Sequence, residues 1–374
     1  MKALVLAGGR GTRLRPITHT GAKQLVPVAN KPVLFYGLEA IRDAGIRQVG
    51  IVVSDPLELL RPDHRTGELT TVLVNSQAEI RAAVGNGAAI GLEVTYIQQE
   101  APLGLAHAVK ISEDYMAGEP FVMYLGDNLI RDGITPFVRE FEAEKPNAQI
   151  LLAHVKTPQD YGVAELKGDH VVRLEEKPSQ PKSDLALVGV YLFDATVFDA
   201  VRAIRPSPRG ELEITDAIQH LIDSGKRVRS HVITGWWKDT GKMEDMLEAN
   251  RVVLSGQSSE NLGTLSKDTR VEGAVRVGEG TVVEGSTLRG PLIIGSNVVI
   301  KHAYIGPFTS IGSGCQIEHC EIEHSIVLER SRLKDIDGRI ESSLIGKEAV
   351  VCASGSRPRT HRLMLGDASR IELA

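Results

Sequence analysis

Aliphatic residues recur at intervals of 17 positions in the last third of the sequence, and no other feature constrains the fold as strongly. Three such series overlap, and their members are Val271, Leu288, Ile305 and Ile322, then Val277, Ile294, Ile311 and Leu328, then Val283, Ile300 and Ile317. Neighbouring members of the three series are separated by two steps of six residues and one step of five. A repeat of this kind indicates short structural units stacked on one another.

This period predicts a triangular left-handed β-helix of about four coils between residues 271 and 333. Each coil would direct one aliphatic side chain per face into the core. Glycine or a small polar residue often follows the aliphatic residue, as in Ile294-Gly295 and Ile311-Gly312, and would form the corner. Because the stacked coils offer flat faces and open ends, we expect a homo-oligomer assembled through this domain.

Before about residue 250 the pattern differs, because short apolar runs alternate with amphipathic segments. KALVLA, QVGIVV, EVTYIQQ, FVMYLGD and AQILLAHV predict buried strands, and KPVLFYGLEAIRDAG, LGLAHAVKISEDYM and ITPFVREFEAEK predict helices. This alternation is typical of an α/β fold with a largely parallel sheet, which binds ligands at the carboxyl ends of its strands. We therefore predict an α/β domain over residues 1–250, a linker over 251–270, the β-helix over 271–352 and a tail over 353–374.

The composition argues against several classes of protein. The 374 residues carry a formal net charge of −5, which does not favour binding to nucleic acid or to an anionic membrane. The first apolar run is shorter than a signal peptide requires, and no run approaches the roughly 20 apolar residues of a membrane span. Cys315, Cys320 and Cys352 lack the spacing of a metal site, so we expect reduced thiols in a cytoplasmic protein.

A glycine-rich stretch follows the first predicted strand. In LAGGRGTRLRP, Gly8, Gly9 and Gly11 would let the backbone approach a ligand closely, and successive N–H groups would bind phosphate oxygens. The stretch matches neither a Walker A loop nor the G-x-G-x-x-G pattern. Arg13 and Lys23 add two cations, which suits a triphosphate whose departing pyrophosphate must be neutralised. A tight turn without a ligand is the simpler alternative.

Two aspartates occupy positions that suit metal ligands. Asp127 ends an apolar strand in YLGDN, and Asp239 lies in WWKDTG. Mg²⁺ prefers oxygen ligands and usually takes one or two carboxylates together with substrate phosphates. Either aspartate alone is also typical of a turn or of a helix cap.

The end of the predicted strand VVRLEEK places two glutamates beside a lysine. Alternation along a strand would direct Glu175 and Lys177 to one face and Glu176 to the other, unless a turn at Pro178 relaxes it. A carboxylate that accepts sugar hydroxyls and a lysine that binds phosphate would suit a sugar phosphate. Arg209 in SPRGELEITD offers a second phosphate contact. The alternatives are a salt-bridged strand end and a surface arginine.

Together these motifs resemble the sugar nucleotidylyltransferases, and among them the glucose-1-phosphate thymidylyltransferases. The similar segments are LAGGRGTRLRPIT…AKQLVPV, QQEAPLGLAHA, YLGDN, YGVAEL, LEEKPSQPKSDLALVGVYLFD, RGELEITDAI and WKDTG, in that family's order over residues 1 to about 250. The resemblance implies a Rossmann-like nucleotidyltransferase domain. The added repeat resembles the long form found in bacterial pathways for deoxysugars of secondary metabolites.

The resemblance also implies a role for each matching residue. Residues that would bind the nucleotide are Leu6, Gly8, Gly9, Gly11, Thr12, Arg13, Gln24, Gln99 and Gly104. Residues that would bind the hexose or its phosphate are Asn128, Tyr161, Gly162, Glu176, Lys177, Leu187, Arg209 and Trp237. Asp127 and Asp239 would hold Mg²⁺. Arg13, Lys23 and Lys177 would take part in catalysis.

Three details qualify this match. Gln99 lies five residues before Gly104, the family's spacing for the glutamine that reads the thymine edge, and is therefore preferred to Gln98. Residues 54–80 form a longer link from strand to helix than the family usually has. Leu187 stands where short-form members commonly have valine.

The activity that the resemblance implies converts dTTP and α-D-glucose 1-phosphate into dTDP-glucose and diphosphate, the first step to activated deoxysugars. The sugar phosphate is itself a nucleophile, so we expect neither a general base nor a covalent intermediate. One alternative is a UTP-using sugar-1-phosphate uridylyltransferase, since uracil lacks only one methyl group. Others are an additional acyltransferase activity, with His302, His319 or His324 as base, and a sugar-nucleotide sensor without activity.

Overall fold

The computed structural model describes residues 1–9, 11–19, 21–62, 69–168, 170–353, 361–366 and 368–372. The chain divides into two compact units. The first comprises Met1–Arg10, Thr20–Leu25 and Val33–Asp239, and the second comprises Gly11–His19, Val26–Pro32 and Thr240–Ala374.

Strands and helices alternate through the first 255 residues. In chain order they are β1 (Lys2–Leu6), β2 (Pro27–Val28), β3 (Lys31–Pro32), α1 (Val33–Asp43), β4 (Gln48–Ser54), β5 (Leu57–Pro62), β6 (Leu69–Val74), α2 (Ser76–Val84), β7 (Glu93–Gln99), α3 (Leu105–Ile111), α4 (Glu113–Met116), β8 (Phe121–Leu125), β9 (Asn128–Ile130), α5 (Thr135–Glu144), β10 (Ala148–His154), β11 (Gly162–Lys167), β12 (His170–Glu176), β13 (Leu185–Phe193), α6 (Thr196–Ala203), α7 (Ile214–Asp223), β14 (Val228–Val232), β15 (Trp237–Asp239) and α8 (Met243–Ser255). Short 3₁₀ turns span Thr12–Leu14, Ile17–His19, Lys23–Leu25, Ala88–Ile90 and Pro158–Asp160.

The first unit is built on a nine-stranded mixed sheet of order β10-β14-β12-β11-β13-β8-β1-β4-β7. The four strands β8, β1, β4 and β7 are parallel to one another, as the alternating sequence pattern predicts. The sheet becomes mixed at β13, which pairs antiparallel with β8 and β10. The carboxyl ends of the four parallel strands therefore meet at one edge, where α/β sheets bind ligands.

Both faces of this sheet are covered by helices. Val5 and Leu4, adjacent in β1, point to opposite faces and enter two separate apolar clusters. Helices α1 and α5 pack on the face that contains Val5, and α6 and α7 pack on the face that contains Leu4. A strand buried on both faces is continuously apolar, which is why KALVLA and FVMYL lack alternation.

The longer link at residues 54–80 contains an antiparallel hairpin followed by a helix. Strands β5 and β6 pair from Leu57↔Val74 to Pro62↔Leu69, and residues 63–68 between them lie outside the described residues. Helix α2 then begins after Asn75, whose side chain accepts a hydrogen bond of 2.9 Å from the Ala78 amide. Ile80 is completely buried, so α2 is anchored in the core of the first unit.

The second unit contains a parallel β-helix. Its strands are β16 (Glu260–Asn261), β17 (Thr264–Leu265), β18 (Arg270–Glu272), β19 (Val275–Val277), β20 (Val282–Glu284), β21 (Thr287–Arg289), β22 (Leu292–Ile294), β23 (Val299–Lys301), β24 (Tyr304–Ile305), β25 (Thr309–Ile311), β26 (Gln316–Glu318), β27 (Glu321–Glu323), β28 (Ile326–Val327), β29 (Arg332–Lys334), β30 (Arg339–Glu341), β31 (Leu344–Ile345) and β32 (Val350–Cys352). Every third strand joins the same sheet, and all pairs are parallel, as the left-handed β-helix prediction requires. Leu288, Ile305 and Ile322 pair in sequence and are completely buried, which confirms one predicted aliphatic series.

The β-helix is longer than the predicted four coils. Two of its sheets have six strands and the third has five. The spacing is not constant, because Ile311 pairs with Val327, 16 residues later, and Ile322 pairs with Ile340, 18 residues later. A strict count of 17 therefore loses the later coils and selects Leu328 where the structure pairs Val327.

The β-helix also begins earlier than the predicted boundary. The segment 251–270, predicted as a linker, holds the end of α8 and most of the first coil. Glu260 and Ser266 stand 17 residues before Val277 and Val283, so polar residues replace the aliphatic series there. No coil precedes this one within the described residues, and a terminal repeat with a polar outer face is expected in stacked-repeat proteins.

The three cysteines are free, with Cys315 and Cys320 buried and Cys352 exposed. Burial raises the pKa of the Cys315 and Cys320 thiols, which keeps them protonated and unreactive. Among the residues that the structure describes, no helix combines the length and apolar character that a membrane span requires.

Truncating an inward side chain of the β-helix tests this packing. Ile300 is completely buried between its ladder partners Val283 and Ile317. We expect Ile300→Ala to lower the free energy of unfolding of the β-helix by about 2–5 kcal/mol, because it leaves a cavity in a close-packed stack. Calorimetric melting measures this. Lys301→Ala, which removes an exposed ion pair to Glu284, should change it by less than about 1 kcal/mol, and equal effects of the two variants would contradict the packing described.

Candidate active site

The glycine turn, Ser54 and Gln99 meet at the carboxyl edge of the parallel strands. The Ser54 hydroxyl, at the end of β4, donates a 2.6 Å hydrogen bond to the carbonyl of Gly8. A Cβ added to Gly8 would lie 2.5 Å from Ser54 Oγ and 3.7 Å from Gln99 Oε1. Leu6 ends β1 beneath this turn, and its carbonyl accepts the Gly126 amide at 2.9 Å. The edge thus brings backbone amides and a glutamine amide close together.

The two candidate glutamines at the end of β7 have different surroundings. Gln99 is 7% exposed, and its Nε2 lies 3.0 Å from His107 Nδ1 and 3.4 Å from the Gly104 carbonyl. Gln98 is exposed and pairs with Asp55. Desolvation, followed by the charge of Lys110, lowers the pKa of His107, so its ring is neutral near pH 7. A fixed amide on Gln99 can donate and accept hydrogen bonds toward a pyrimidine edge.

Gly104 shapes the same corner because no side chain fits there. Its φ is +101°, and a Cβ would collide with the backbone of Leu212. The Leu212 amide donates to the Leu103 carbonyl at 2.7 Å, and its carbonyl accepts from Ala106 at 3.0 Å. The segment before α3 is therefore joined to the segment before α7.

Lys23 is the positive centre of the site. It lies in a 3₁₀ turn with its side chain 8% exposed, pairs with the Asp127 carboxylate, and lies 3.9 Å from Asp239 Oδ1. The preceding amide, of Ala22, donates a 2.7 Å hydrogen bond to Glu79 on α2. Gln24 is also buried, and among the described residues no donor reaches its Oε1. An unmet acceptor beside a buried cation indicates a polar ligand.

The Asp127 carboxylate is stabilised in its charged form. Burial alone would raise its pKa, but the charge and hydrogen bond of Lys23, together with a hydrogen bond from Asn128, lower it overall. Asn128 Nδ2 donates to Asp127 Oδ1 at 3.0 Å. The carboxylate therefore stays ionised at neutral pH.

Asp127 and Asp239 are brought together by a two-stranded ribbon. Asp239 pairs with Asn128 across β15 and β9, so both carboxylates face Lys23. The described residues contain no cluster of three or more His, Cys, Asp or Glu side chains that could hold a metal. Two hard oxygen donors around one positive charge fit Mg²⁺, which takes its other ligands from phosphates and water.

A second pocket begins on the other side of Asn128. The Trp237 indole donates a 2.7 Å hydrogen bond to Asn128 Oδ1, and the Tyr161 ring packs edge-on against Trp237 with centroids 5.7 Å apart. Gly162 follows Tyr161, and a Cβ there would meet Leu187 Cδ1 at 2.7 Å. The result is an aromatic wall beside a buried amide, which suits the faces and hydroxyls of a sugar ring.

Glu176 and Lys177 meet despite the alternation of the strand. β12 ends at Glu176, and Lys177 has a φ of +43°, so the chain turns before Pro178. Lys177 Nζ therefore lies 4.0 Å from Glu176 Oε1, whereas Glu175 pairs with Arg173. The relaxation considered in the sequence is present, and it occurs at Lys177.

Arg209 joins this group through three carboxylates. Its guanidinium lies 3.4 Å from Glu176, 3.2 Å from Glu211 and 3.5 Å from Glu213. The Arg209 and Lys177 side chains are 40% and 44% exposed, so both cations are open to a ligand. Glu213 is 6% exposed and repels Glu176, and its repulsion adds to burial in raising the pKa of Glu176.

Three residues predicted to bind phosphate belong to the second unit. Gly11 has a φ of +61°, Thr12 begins a 3₁₀ turn, and Arg13 within it is exposed. The Thr18 hydroxyl closes this loop by donating to the Gly11 carbonyl at 2.6 Å.

Several residues of the site were not predicted from the sequence. They are Ser54, Glu79, His107, Glu213 and Thr215. Glu213 and Thr215 lie in RGELEITDAI, but only burial and the contact with Glu176 distinguish them from surface residues. Glu79 lies in the long link, where no sequence signal pointed to the site.

The β-helix histidines pack against neighbouring rings. His302 stacks on His319 with centroids 5.3 Å apart, and His324 packs against Phe308 at 5.0 Å. Asp335 holds the His319 ring at 2.9 Å. These contacts are typical of stacking between coils.

Comparisons with known proteins place these features in a family. Residues 2–256 match the family model of the nucleotidyl transferases. Over its whole length the chain is 54% identical to a glucose-1-phosphate thymidylyltransferase of Streptomyces antibioticus, covering 99% of that protein, and 52% identical to one of Streptomyces griseus, covering 100%. A crystal structure of a Bacillus anthracis protein in complex with sucrose is 32% identical and superimposes with a TM-score of 0.60, over 70% of this chain and 98% of that one.

The electrostatics of Glu176 predict a gain in stability when its charge is removed. Burial, followed by Glu213, raises the pKa of Glu176 above its ordinary value of 4.5, so the folded protein binds this proton more tightly than the unfolded chain. Ionisation therefore lowers stability above the folded-state pKa, and the loss is absent below pH 4.5. We expect Glu176→Gln to melt at a higher temperature than the wild type at about pH 8, with the difference vanishing near about pH 4.

The matched control is Glu175→Gln, one residue earlier on the same strand. Glu175 is 47% exposed and pairs with Arg173, so its substitution should not raise the melting temperature at either pH. A pH-independent gain in Glu176→Gln, or an equal gain in both variants, would contradict the assigned cause.

Proposed function

We propose, for a chain that belongs to the nucleotidyl transferase family and within it to the glucose-1-phosphate thymidylyltransferases, that it makes dTDP-glucose and diphosphate from dTTP and α-D-glucose 1-phosphate. The observation that carries the proposal is the Lys23–Asp127–Asp239 cluster at the carboxyl edge of the sheet. It lies between a glycine turn with a glutamine amide and an aromatic pocket with two open cations. This order suits a nucleotide, a pair of reacting phosphates and a sugar phosphate.

The nucleotide is assigned to the edge formed by β1, β4 and β7. Leu6, Gly8 and Gly9 would lie along it, with Gln99 and Gly104 at the thymine. Gln24 offers its free acceptor beside the phosphates. Gly11, Thr12 and Arg13 are assigned to the phosphates from the family pattern. The uncrowded backbone at Gly8 and the buried, fixed Gln99 support this assignment.

The sugar phosphate is assigned to the pocket beside Asn128. Trp237, Tyr161, Gly162 and Leu187 would enclose the hexose, while Asn128 and Glu176 accept or donate hydrogen bonds to its hydroxyls. Lys177 and Arg209 would bind its phosphate, because both cations are partly exposed and point charge toward Glu176 rather than being fully enclosed. A dianionic phosphate competes well for such cations.

Catalysis follows from positioning and charge. A phosphate oxygen of glucose 1-phosphate forms a bond to the α-phosphorus of dTTP, the bond from that phosphorus to the bridging oxygen of the β-phosphate breaks, and pyrophosphate leaves with that electron pair. Lys177 and Arg209 aim the nucleophile, and Lys23 and Arg13 neutralise the pyrophosphate. Mg²⁺, held by Asp127 and Asp239, would supply further charge neutralisation across the phosphates. No proton needs to be moved by the protein, and no protein atom becomes bonded to the substrate.

Discrimination between dTTP and UTP rests on one methyl group. A methyl in an apolar pocket is worth only about 1–3 kcal/mol, so we expect some use of UTP with preference for dTTP. Measuring kcat/KM for a panel of nucleoside triphosphates against glucose 1-phosphate and other sugar 1-phosphates tests the proposal. Preference for UTP would assign the chain to the uridylyltransferases instead, and no release of pyrophosphate with any pair would overturn the activity.

We also propose a cytoplasmic homo-oligomer. The free thiols suit a reducing compartment. The end coils of the β-helix expose apolar side chains, with Leu262 59% and Val350 64% exposed. Open ends of this kind favour association with a second copy, and light scattering of the purified chain would test it.

Removing the Asp127 charge tests the reacting centre. We expect Asp127→Asn to lower kcat by at least about 100-fold, because Lys23 loses its partner and Mg²⁺ loses a ligand while the isosteric side chain preserves the fold. Pyrophosphate release measures kcat, and circular dichroism checks the fold. Asp132→Asn removes an exposed carboxylate that pairs with Arg131 and should leave kcat unchanged. Normal turnover in Asp127→Asn would remove Asp127 from the site.

A further inference from the structure

A short hairpin in the second unit has a turn that its own residues do not favour. β2 and β3 pair through Pro27↔Pro32 and Val28↔Lys31, and the turn consists of Ala29 and Asn30. Both turn residues have a positive φ, 48° for Ala29 and 60° for Asn30. Asparagine tolerates this region, but alanine is disfavoured there because of its Cβ. Contacts from outside the hairpin must therefore hold it.

Asn250 supplies the main contact. This residue of α8 is completely buried, and its Oδ1 accepts hydrogen bonds from the Ala29 amide at 2.8 Å and from the Ser310 hydroxyl at 2.6 Å. Its Nδ2 donates to the Phe308 carbonyl at 2.9 Å. One side chain thus joins α8, the strained turn and strand β25 of the β-helix.

A second bond attaches the same turn to the same coil. Asn30 Nδ2 donates to the carbonyl of Ile311, the last residue of β25, at 2.7 Å. Both turn residues are therefore hydrogen-bonded to the β-helix or to the helix that leads into it. Such over-determination is what allows an unfavourable backbone conformation to persist.

The hairpin adjoins the reacting centre along the chain. Lys23 and Gln24 lie between the two early segments that belong to the second unit, Gly11–His19 and Val26–Pro32. The first of these also contacts the β-helix, since a Cβ on Gly346 would lie 3.3 Å from Ile17 Cδ1. Both chain segments that flank Lys23 are thus part of the compact unit that contains the β-helix.

We propose that Asn250 is a positioning residue, through which the β-helix fixes the 27–32 hairpin and thereby the placement of Lys23. The inference rests on the proposed function, because Lys23 acts on the phosphates only there. It gives the β-helix a part in catalysis without any contact between Asn250 and substrate. A small displacement of a charged group at a reacting centre costs up to about 100-fold in rate.

The test compares Asn250→Ala with Thr281→Ala. Thr281 is also completely buried in the β-helix, where its hydroxyl donates to the Gly295 carbonyl and accepts from Val298, but it does not contact the hairpin. We expect Asn250→Ala to lower kcat by at least about tenfold, with the KM values for both substrates changed less, at temperatures where both variants are folded. Thr281→Ala should keep the kcat of the wild type. Equal kcat in the two variants would overturn the proposal.

Two further measurements keep the test decisive. Hydrogen exchange should accelerate in residues 27–32 of Asn250→Ala but not of Thr281→Ala, because the Ala29 amide loses its acceptor. Unchanged exchange there would also overturn the proposal. If Asn250→Ala does not fold, Asn30→Ala, which removes only the bond to Ile311, should lower kcat in the same direction, and an unchanged kcat would count against the proposal. A wild type that releases no pyrophosphate would refute the proposed function, while the exchange result would still decide whether Asn250 holds the hairpin.

Discussion

The ammonium of Lys23 between the carboxylates of Asp127 and Asp239 is the interaction on which the candidate site depends. A cation this buried is costly unless it is paired, so the end of β8, strand β15 and the 3₁₀ turn at Lys23 must stay in register. The same requirement keeps Asp127 ionised. A site that already concentrates charge at one edge of the sheet needs little rearrangement to receive phosphates and a divalent cation, which is how electrostatic preorganisation accelerates phosphoryl transfer.

The β-helix has a rigid construction that suits a supporting part. Its core is a stack of aliphatic side chains in parallel ladders, and its corners hold stacked rings such as His302 and His319. Asn250 connects this stack to an early hairpin with a strained turn. The early segments at 11–19 and 26–32 therefore belong to the β-helix unit although they lie far from it in the sequence. The α/β unit supplies most of the candidate site, and the β-helix unit holds the segments that flank Lys23.

Much of the fold is visible in the sequence because burial repeats with a fixed period. The parallel strands follow from their apolar runs, and the aliphatic ladder through Leu288, Ile305 and Ile322 follows from the 17-residue spacing. Prediction fails where the period changes, as between Ile311 and Val327, or where polar residues terminate the stack. In the site, motif residues at strand ends were predicted, but Glu79 and Glu213 were not. Their importance lies in burial and in contacts with distant segments, and neither property leaves a local pattern.

The central claim is that the two substrates react directly, held by charge and without a covalent bond to the protein. The stereochemical course at the α-phosphorus tests this claim most directly. With a single diastereomer of dTTP carrying sulfur on the α-phosphate, one in-line displacement inverts the configuration, and phosphorus NMR of the thio-substituted dTDP-glucose identifies the product. The account predicts inversion. Retention would require two displacements through a nucleotidylated side chain and would contradict it.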